Sequence, residues 1–290
     1  MLLGLHALGI AAGADRAVID AVASAADDCG FATLWAGEHV VMVDRSTSRY
    51  PYSDDGVIAV PAQADWLDPM IALSFAAASS SRIGVATGVL LLPEHNPVVV
   101  AKQAASLDRL SGGRLTMGVG IGWSRDEFAA LGVPFEHRGA RTDEYVGAMR
   151  TLWREDVASF EGKFVGFDSI RVNPKPVRDR RIPIVVGGNS DPALRRVATW
   201  GDGWYGFNLD DLAAVRERIA KLEQLCAESG RDRAQLRLSV ALRNPSVGDI
   251  GGLADVGVDE LVLVQAPPDQ PEAAAKWVSA LADQWMTALP

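Results

Sequence analysis

Three of the four histidines stand where a polar side chain could do acid–base chemistry. His6, His39 and His95 each lie at or just past the end of an apolar run that is typical of a buried strand. The imidazole pKa is near neutral, so one histidine beside a substrate can act as a general acid or base. We choose His39 as the candidate, with Glu38 beside it to orient either the histidine or a ligand. A hydrogen-bonded structural histidine is the alternative interpretation.

Several converging imidazoles are also typical of a metal site. Metal-dependent hydrolases built on barrels usually take ligands from the later strands as well. The later apolar runs of this chain, from residue 182 onward, carry no histidine. We therefore predict no metal, and a metallohydrolase is the weakest of the functions considered.

A second candidate site is the loop at 187–192, which reads GGNSDP and lies between an apolar run and a helix start. Backbone N–H groups at a helix N-terminus lack partners in the helix and lie at the positive end of its dipole. They therefore bind phosphate well. A simple helix cap explains the polar residues but not the paired glycines. We predict phosphate binding by Gly187, Gly188, Asn189 and Ser190.

The run at 118–122 reads GVGIG and ends another apolar segment. Its spacing differs from the G-x-G-x-x-G of dinucleotide-binding folds, and no acidic residue ends a strand about 20 residues later. We interpret these glycines as permitting close backbone approach. A flat ligand could rest there, which makes Gly120 a candidate contact.

The elements that must position these residues alternate regularly along the chain. Eight apolar runs are separated by segments with helical periodicity, which favours an α/β fold of the closed (β/α)8 TIM-barrel type, with active-site residues at the carboxyl ends of the strands. Two long insertions, 40–66 and 156–181, interrupt the alternation, and the first is predicted to be a lid at the C-terminal face. We expect residues 1–290 to form one domain, with strands at 2–6, 32–36, 83–92, 114–119, 182–186, 202–207, 236–242 and 260–264.

Composition excludes several classes of partner. The net charge of −9 argues against nucleic acid, and no window is long and apolar enough to suggest a membrane span. The apolar N-terminus lacks a basic segment, so we interpret it as a first strand rather than a signal peptide and expect a cytoplasmic protein. Two cysteines do not suggest a disulfide framework.

Several longer motifs resemble one family. They are LWAGEHV (34–40), SRYPYSDDG (48–56), the stretch from 82 to 123, EFAALGVPFEHRGARTDEY (127–145) and GGNSDPALRRVATWGDGW (187–204). Together they resemble the luciferase-like monooxygenase superfamily, in particular the branch that uses the deazaflavin coenzyme F-420. The resemblance covers essentially the whole chain.

This resemblance implies a flavin-type ring at the carboxyl face of a (β/α)8 barrel, and a homodimer. It implies that His39 is the active-site histidine and that Glu38 approaches the ring. It further implies a non-prolyl cis peptide between Gly88 and Val89 behind the ring, and a phosphate on Gly188, Asn189 and Ser190. Three positions depart from the family: Trp123 replaces the glutamate of sugar-phosphate dehydrogenases, Glu94-His95 an amide and an arginine, and Asn189 a histidine.

The predicted function is hydride transfer between coenzyme F-420 and a small organic substrate. The first alternative is an FMN-dependent monooxygenase that receives reduced flavin from a separate reductase. The second is a non-catalytic protein that binds flavin or deazaflavin. The presence of His39 argues against this second alternative.

Overall fold

The computed structural model describes residues 1–289. The strands are β1 (Leu2–Leu8), β2 (Thr33–Ala36), β3 (Gly84–Thr87), β4 (Leu90–Leu91), β5 (Leu115–Gly120), β6 (Ala158–Glu161), β7 (Gly166–Ile170), β8 (Ile184–Gly187), β9 (Gly203–Leu209), β10 (Arg237–Leu242) and β11 (Glu260–Val264). The α-helices are α1 (Arg16–Cys29), α2 (Pro69–Ala78), α3 (Pro97–Leu110), α4 (Arg125–Ala130), α5 (Arg138–Arg154), α6 (Asp191–Thr199), α7 (Leu212–Glu228), α8 (Asp249–Asp255) and α9 (Pro271–Trp285).

Eight parallel strands of this described segment close into a barrel in the order β1, β2, β3, β5, β8, β9, β10 and β11. The circle closes where β11 pairs with β1, with Leu2 opposite Glu260 and His6 opposite Val264. Helices surround these strands, which confirms the predicted (β/α)8 TIM barrel. Since each strand is buried on both faces, its sequence is a continuous apolar run rather than an alternating one.

Local sequence signals set the helix boundaries. The Asp15 side chain accepts hydrogen bonds from the first turn of α1, and Gly30 ends that helix in the left-handed conformation at φ 85°. Asn96 caps α3 and Ser124 caps α4, each through a side-chain oxygen that accepts a backbone N–H of the first turn. Correct caps fix where each helix begins, and hence which residues of the preceding loop face the barrel mouth.

The third predicted strand is not continuous. The apolar run at 83–92 divides into β3 and β4, which are joined by a cis peptide between Gly88 and Val89. This confirms the cis bond expected from the family resemblance. The chain is held at this point by Thr87, whose hydroxyl donates to the Gly118 carbonyl oxygen at 2.7 Å. Val89, on the carboxyl side of this bond, is half-buried and packs against the apolar residues inside the barrel.

The two predicted insertions differ in structure. Residues 40–66 hold no helix or strand in the described chain, apart from one bridge between Trp66 and Ile10. The second insertion contains the antiparallel hairpin of β6 and β7. The tip of this hairpin donates three backbone N–H groups to the Glu144 carboxylate on α5.

Two apolar regions make up the core. The larger one fills the space between the strands and the surrounding helices, and Trp153 and Trp204 are among its fully buried side chains. The smaller region lies inside the barrel and contains Trp35, Ala86, Val185, Tyr205, Ala241 and Val262. Across residues 1–289, no helix is long and apolar enough to cross a membrane.

Candidate active site

His39 follows the carboxyl end of β2 and is oriented by a partner far away in sequence. Its Nδ1 lies 2.8 Å from Oε2 of Glu127, a carboxylate whose side chain is only 1% exposed. The other Glu127 oxygen accepts the backbone N–H of Val40 at 2.7 Å and of Val41 at 3.3 Å. Because Nδ1 faces the carboxylate, Nε2 is the ring nitrogen available to a ligand.

Aromatic rings hold the imidazole on two further sides. Trp66 lies edge-on at 4.9 Å between ring centroids, and Trp123 lies edge-on at 5.6 Å. These contacts, with Glu127, restrict rotation of the His39 ring. An oriented imidazole with one free nitrogen fits general acid–base chemistry better than a metal site. Among residues 1–289, no group of three or more His, Cys, Asp or Glu side chains is arranged to hold a metal ion.

Glu38 does not contact His39, although the two are adjacent in sequence. One Glu38 oxygen accepts the backbone N–H of Leu91 at 2.6 Å, and both oxygens lie 3.1 Å from Nε2 of His95. Glu127 therefore takes the orienting role that the sequence suggested for Glu38. Burial opposes the charge on His95, but the hydrogen bond and the charge of Glu38 outweigh it and raise the His95 pKa.

Glu94 is the unusual member of this cluster. Its side chain is buried at 7% exposure, and neither carboxyl oxygen has a hydrogen-bond partner among the described residues. Burial, followed by repulsion from Glu127 and Glu38, raises its pKa from 4.5 to about 9. Glu94 is therefore a neutral carboxylic acid at pH 7. A Cβ at Gly122 would lie 2.9 Å from Oε1 of Glu94, so glycine there leaves room for this carboxyl group.

The barrel interior below the mouth is closed by His6, Tyr205 and Trp35. Nδ1 of His6 lies 3.0 Å from the Tyr205 hydroxyl, and the Trp35 and Tyr205 rings stack at 4.5 Å. Burial lowers the pKa of His6 to about 4, so this imidazole is neutral at pH 7. The three histidines at strand ends thus have different positions and contacts. His6 lies in the floor of the candidate site, His39 lies in its wall, and His95 pairs with Glu38.

Val89 occupies a space that three glycines leave open. A Cβ at Gly120 or at Gly187 would lie 2.7 Å from a Val89 methyl group, and one at Gly118 would lie 3.3 Å away. Distances below 3.0 Å are not tolerated, so both positions require glycine as long as Val89 stays in place. Gly120 and Gly187, predicted as cofactor contacts, here receive the Val89 side chain. Val89 itself is half-buried and forms part of the surface of the mouth.

The predicted phosphate loop offers fewer N–H groups than the sequence suggested. Gly188, at φ 107°, donates its N–H to the Tyr205 carbonyl oxygen at 3.3 Å. The Asn189 side chain bonds both backbone groups of Phe207, at 2.7 and 3.2 Å. The Ser190 hydroxyl caps α6 by accepting the Ala193 N–H. Two donors remain, because the N–H groups of Asn189 and Ser190 bond nothing else within residues 1–289.

The first insertion forms a roof over the mouth. Tyr50 meets Trp123 edge-on at 5.3 Å, and Tyr52 meets Phe207 edge-on at the same distance. The backbone oxygen of Tyr52 accepts a hydrogen bond from Asn208, and burial raises the Tyr52 pKa to about 12. Both tyrosines lie in the motif SRYPYSDDG (48–56), but no periodicity marks them and the sequence alone assigns them no role. They place aromatic rings at the mouth, beside His39 and the phosphate loop.

Comparison with known proteins shows the family to which this chain belongs. The profile of the luciferase-like monooxygenase family matches residues 2–251. This chain belongs to the luciferase-like monooxygenase family. An uncharacterized protein of Mycobacterium tuberculosis is 36% identical over 271 residues, which cover 92% of this chain and 94% of that protein. The FMNH2-dependent dimethylsulfone monooxygenase of Pseudomonas putida is 31% identical over 156 residues, 53% of this chain and 42% of that one.

Solved structures agree with the family fold. The coenzyme F-420-dependent tetrahydromethanopterin reductase of Methanopyrus kandleri superposes with a TM-score of 0.75 at 16% identity, covering all of this chain and 99% of that one. An F-420-dependent enzyme thus shares the fold of this chain, and an FMNH2-dependent enzyme is similar to about half of it in sequence. The family is one of monooxygenases and related oxidoreductases, and the oriented His39 lies at the carboxyl face of the barrel, where active sites of TIM-barrel enzymes are found.

Proposed function

We propose that this chain is an oxidoreductase that transfers a hydride between coenzyme F-420 and a small organic substrate. The observation that carries the proposal is the buried pair of His39 and Glu127 at the barrel mouth. Glu127 keeps the imidazole oriented, with Nε2 available to substrate. Movement of a hydride to or from a carbon that bears oxygen also moves a proton, and His39 is positioned to hold that proton.

The residues at the mouth fit a flavin-type group. The N–H groups of Asn189 and Ser190 would hold a phosphate at the start of α6. The Val89 side chain would support one face of a ring, and the rings of Tyr50 and Trp123 give the mouth apolar walls. When bound, a deazaflavin supplies a ring carbon that accepts or donates a hydride. The roof formed by the first insertion would keep water from the reacting atoms.

An FMN-dependent monooxygenase is the second candidate. It is favoured by the similarity to the FMNH2-dependent enzyme of Pseudomonas putida over about half of this chain. The cofactor decides between the two, because the ring carbon of a deazaflavin cannot support the oxygen chemistry of the corresponding flavin nitrogen. We expect the purified protein to bind F-420 tightly in an anaerobic titration and to bind FMN negligibly. Tight FMN binding with no F-420 binding would replace the first proposal with the second.

Substitution of His39 tests the role of the imidazole. In a His39→Ala protein, Glu127 keeps its hydrogen bonds from Val40 and Val41, so the fold should survive with a melting temperature within a few degrees. Cofactor affinity should also persist, while the rate with a substrate found by screening for reoxidation of reduced F-420 falls ~10²-fold or more. His137→Asn is the matched control, since His137 is exposed at the start of α5, makes no capping hydrogen bond, and has a left-handed backbone conformation that asparagine tolerates. A His39→Ala enzyme with full rate would end this assignment.

We also propose that the chain forms a homodimer through α2 and α3. These neighbouring helices expose large apolar side chains, with Ile71 at 59%, Phe75 at 42% and Val99 at 53%. Exposed apolar side chains on adjoining elements are typical of subunit interfaces. Light scattering on a size-exclusion column should give twice the chain mass, and an Ile71→Lys variant should shift it to the monomer. A wild-type protein that elutes as a monomer contradicts the proposal.

A further inference from the structure

A cavity of about 440 Å³ lies on the opposite face of the barrel from the candidate active site. Its walls come from the end of α5, the end of α6, and the segments that precede β8, β9 and β10. Strands enter the barrel on this face, whereas His39 and Val89 lie where strands end. The cavity is therefore separate from the cofactor site, and its volume is in the range of small-molecule sites.

The lining of this cavity is strongly basic in a chain whose net charge is −9. Two aspartates, Asp179 and Asp202, line it together with five arginines, namely Arg150, Arg154, Arg180, Arg181 and Arg231. Arg154 and Arg180 have exposed acidic partners nearby, Glu155 and Asp156. Exposed ion pairs of this kind contribute little to stability, so each arginine can readily exchange its acidic partner for another anion.

The remaining three arginines outnumber their counter-charges. Asp202 is shared by Arg150, whose Nη2 is 3.0 Å from the carboxylate, and by Arg181. The same carboxylate also accepts the Ile184 N–H at 2.9 Å. Arg231 has no acidic partner among the described residues and donates instead to the Val197 carbonyl oxygen. Two guanidinium groups thus share the Asp202 carboxylate, and that of Arg231 lines the same cavity without an acidic partner among residues 1–289.

Arg150 is close enough to the other two arginines for their charges to act on it. Burial lowers the pKa of Arg150, Asp202 opposes this effect, and the charges of Arg181 and Arg231 lower the pKa by a smaller amount. An anion in the cavity would relieve this repulsion. Guanidinium groups bind phosphate oxygens in a bidentate way, and the excess charge calls for a ligand with more than one negative charge.

We propose that this cavity binds a small ligand that carries a diphosphate group. The diphosphate lies between Arg150, Arg181 and Arg231. Its source is either free pyrophosphate or a nucleotide such as ADP, whose base would lie against the half-buried ring of Trp200 on the cavity wall. This ring is held in place by its Nε1–H, which donates to Asp143 at 3.1 Å.

Isothermal titration calorimetry of the full chain at low salt tests the proposal, with pyrophosphate and ADP as separate probes. Both should bind, and their affinity should fall steeply as salt is added. Tighter ADP binding identifies a nucleotide source, and equal affinities identify free pyrophosphate. An Arg181→Gln/Arg231→Gln protein should bind either probe with an affinity lower by about tenfold or more, since two charge-assisted contacts are lost.

Arg216→Gln is the matched control, because Arg216 is exposed on α7 and lies outside the cavity. It should leave both affinities unchanged, and F-420 titration of the double variant should match that of the wild type. Unaltered diphosphate affinity in the double variant, with a normal melting temperature, would overturn the proposal. Absence of binding by the wild-type protein at low salt would overturn it as well.

Discussion

Replacing Glu94 by glutamine tests whether a neutral carboxylic acid lies beneath the mouth. Both Glu94 oxygens are buried without a hydrogen-bond partner among residues 1–289, and Glu127 and Glu38 repel a charge there. Glutamine has nearly the same shape and is always neutral. The Glu94→Gln protein should therefore keep the fold but lose the dependence of stability on pH that an ionisable group at this position creates.

The size of the effect follows from the pKa of Glu94. An unfolded chain has a glutamic acid with a pKa of 4.5, whereas the folded chain has one of about 9. Between these two values the folded state binds one more proton than the unfolded state, so stability falls as pH rises, by about 1.4 kcal/mol per unit. The loss is nearly absent below about pH 4.5 and reaches about 6 kcal/mol near pH 9. At pH 7 it is about 3 kcal/mol.

Urea denaturation at several pH values from about 5 to about 9 measures this difference. Wild type and Glu94→Gln should have similar free energies of unfolding at the acidic end, and the variant should become increasingly more stable toward the alkaline end. Glu223→Gln on the exposed side of α7 is the control and should follow the wild type. Parallel pH curves for wild type and Glu94→Gln would refute the reasoning, because they would mean that Glu94 ionises normally in the folded state.

Four further substitutions test other contacts of the site. Gly188→Asp should weaken cofactor binding far more than Gly188→Ala does, because both strain the positive φ but only the aspartate repels a phosphate; equal affinities would remove the phosphate from this loop. Gly187→Ala places a Cβ 2.7 Å from a Val89 methyl group and should cost about 1–3 kcal/mol, measured by urea denaturation. Asn189→Ala removes both hydrogen bonds to Phe207 and should also cost about 1–3 kcal/mol, so an unchanged denaturation midpoint contradicts the assigned bonds. Val89→Ala should loosen the ring and slow hydride transfer, and an unaltered enzyme would show that this side chain does not support the cofactor.

The sequence alone was sufficient for the barrel strands. Apolar runs and helical periodicity predicted all eight of them, and Asn96 and Ser124, which cap α3 and α4, are residue types that commonly cap helices. These features are local: a cap joins a side chain to a backbone N–H two or three residues away. Such contacts form in any fold that contains the segment, so short sequence patterns predict them well.

Polar partners at the mouth were decided by tertiary structure. Glu127 has the sequence pattern of a helix-capping residue, yet its carboxylate binds His39, 88 positions earlier in the chain. Glu38, next to His39 in sequence, binds His95 instead, because adjacent residues at the end of a strand point to opposite sides.

Tertiary structure also decided the contacts of Val89, whose side chain fits between Gly120 and Gly187 on two other strands. Sequence patterns placed Gly120 and Gly187 at strand ends and Val89 within a predicted strand. Which of them touch depends on how far each strand is shifted against its neighbours around the closed barrel, and no short stretch of sequence contains that information.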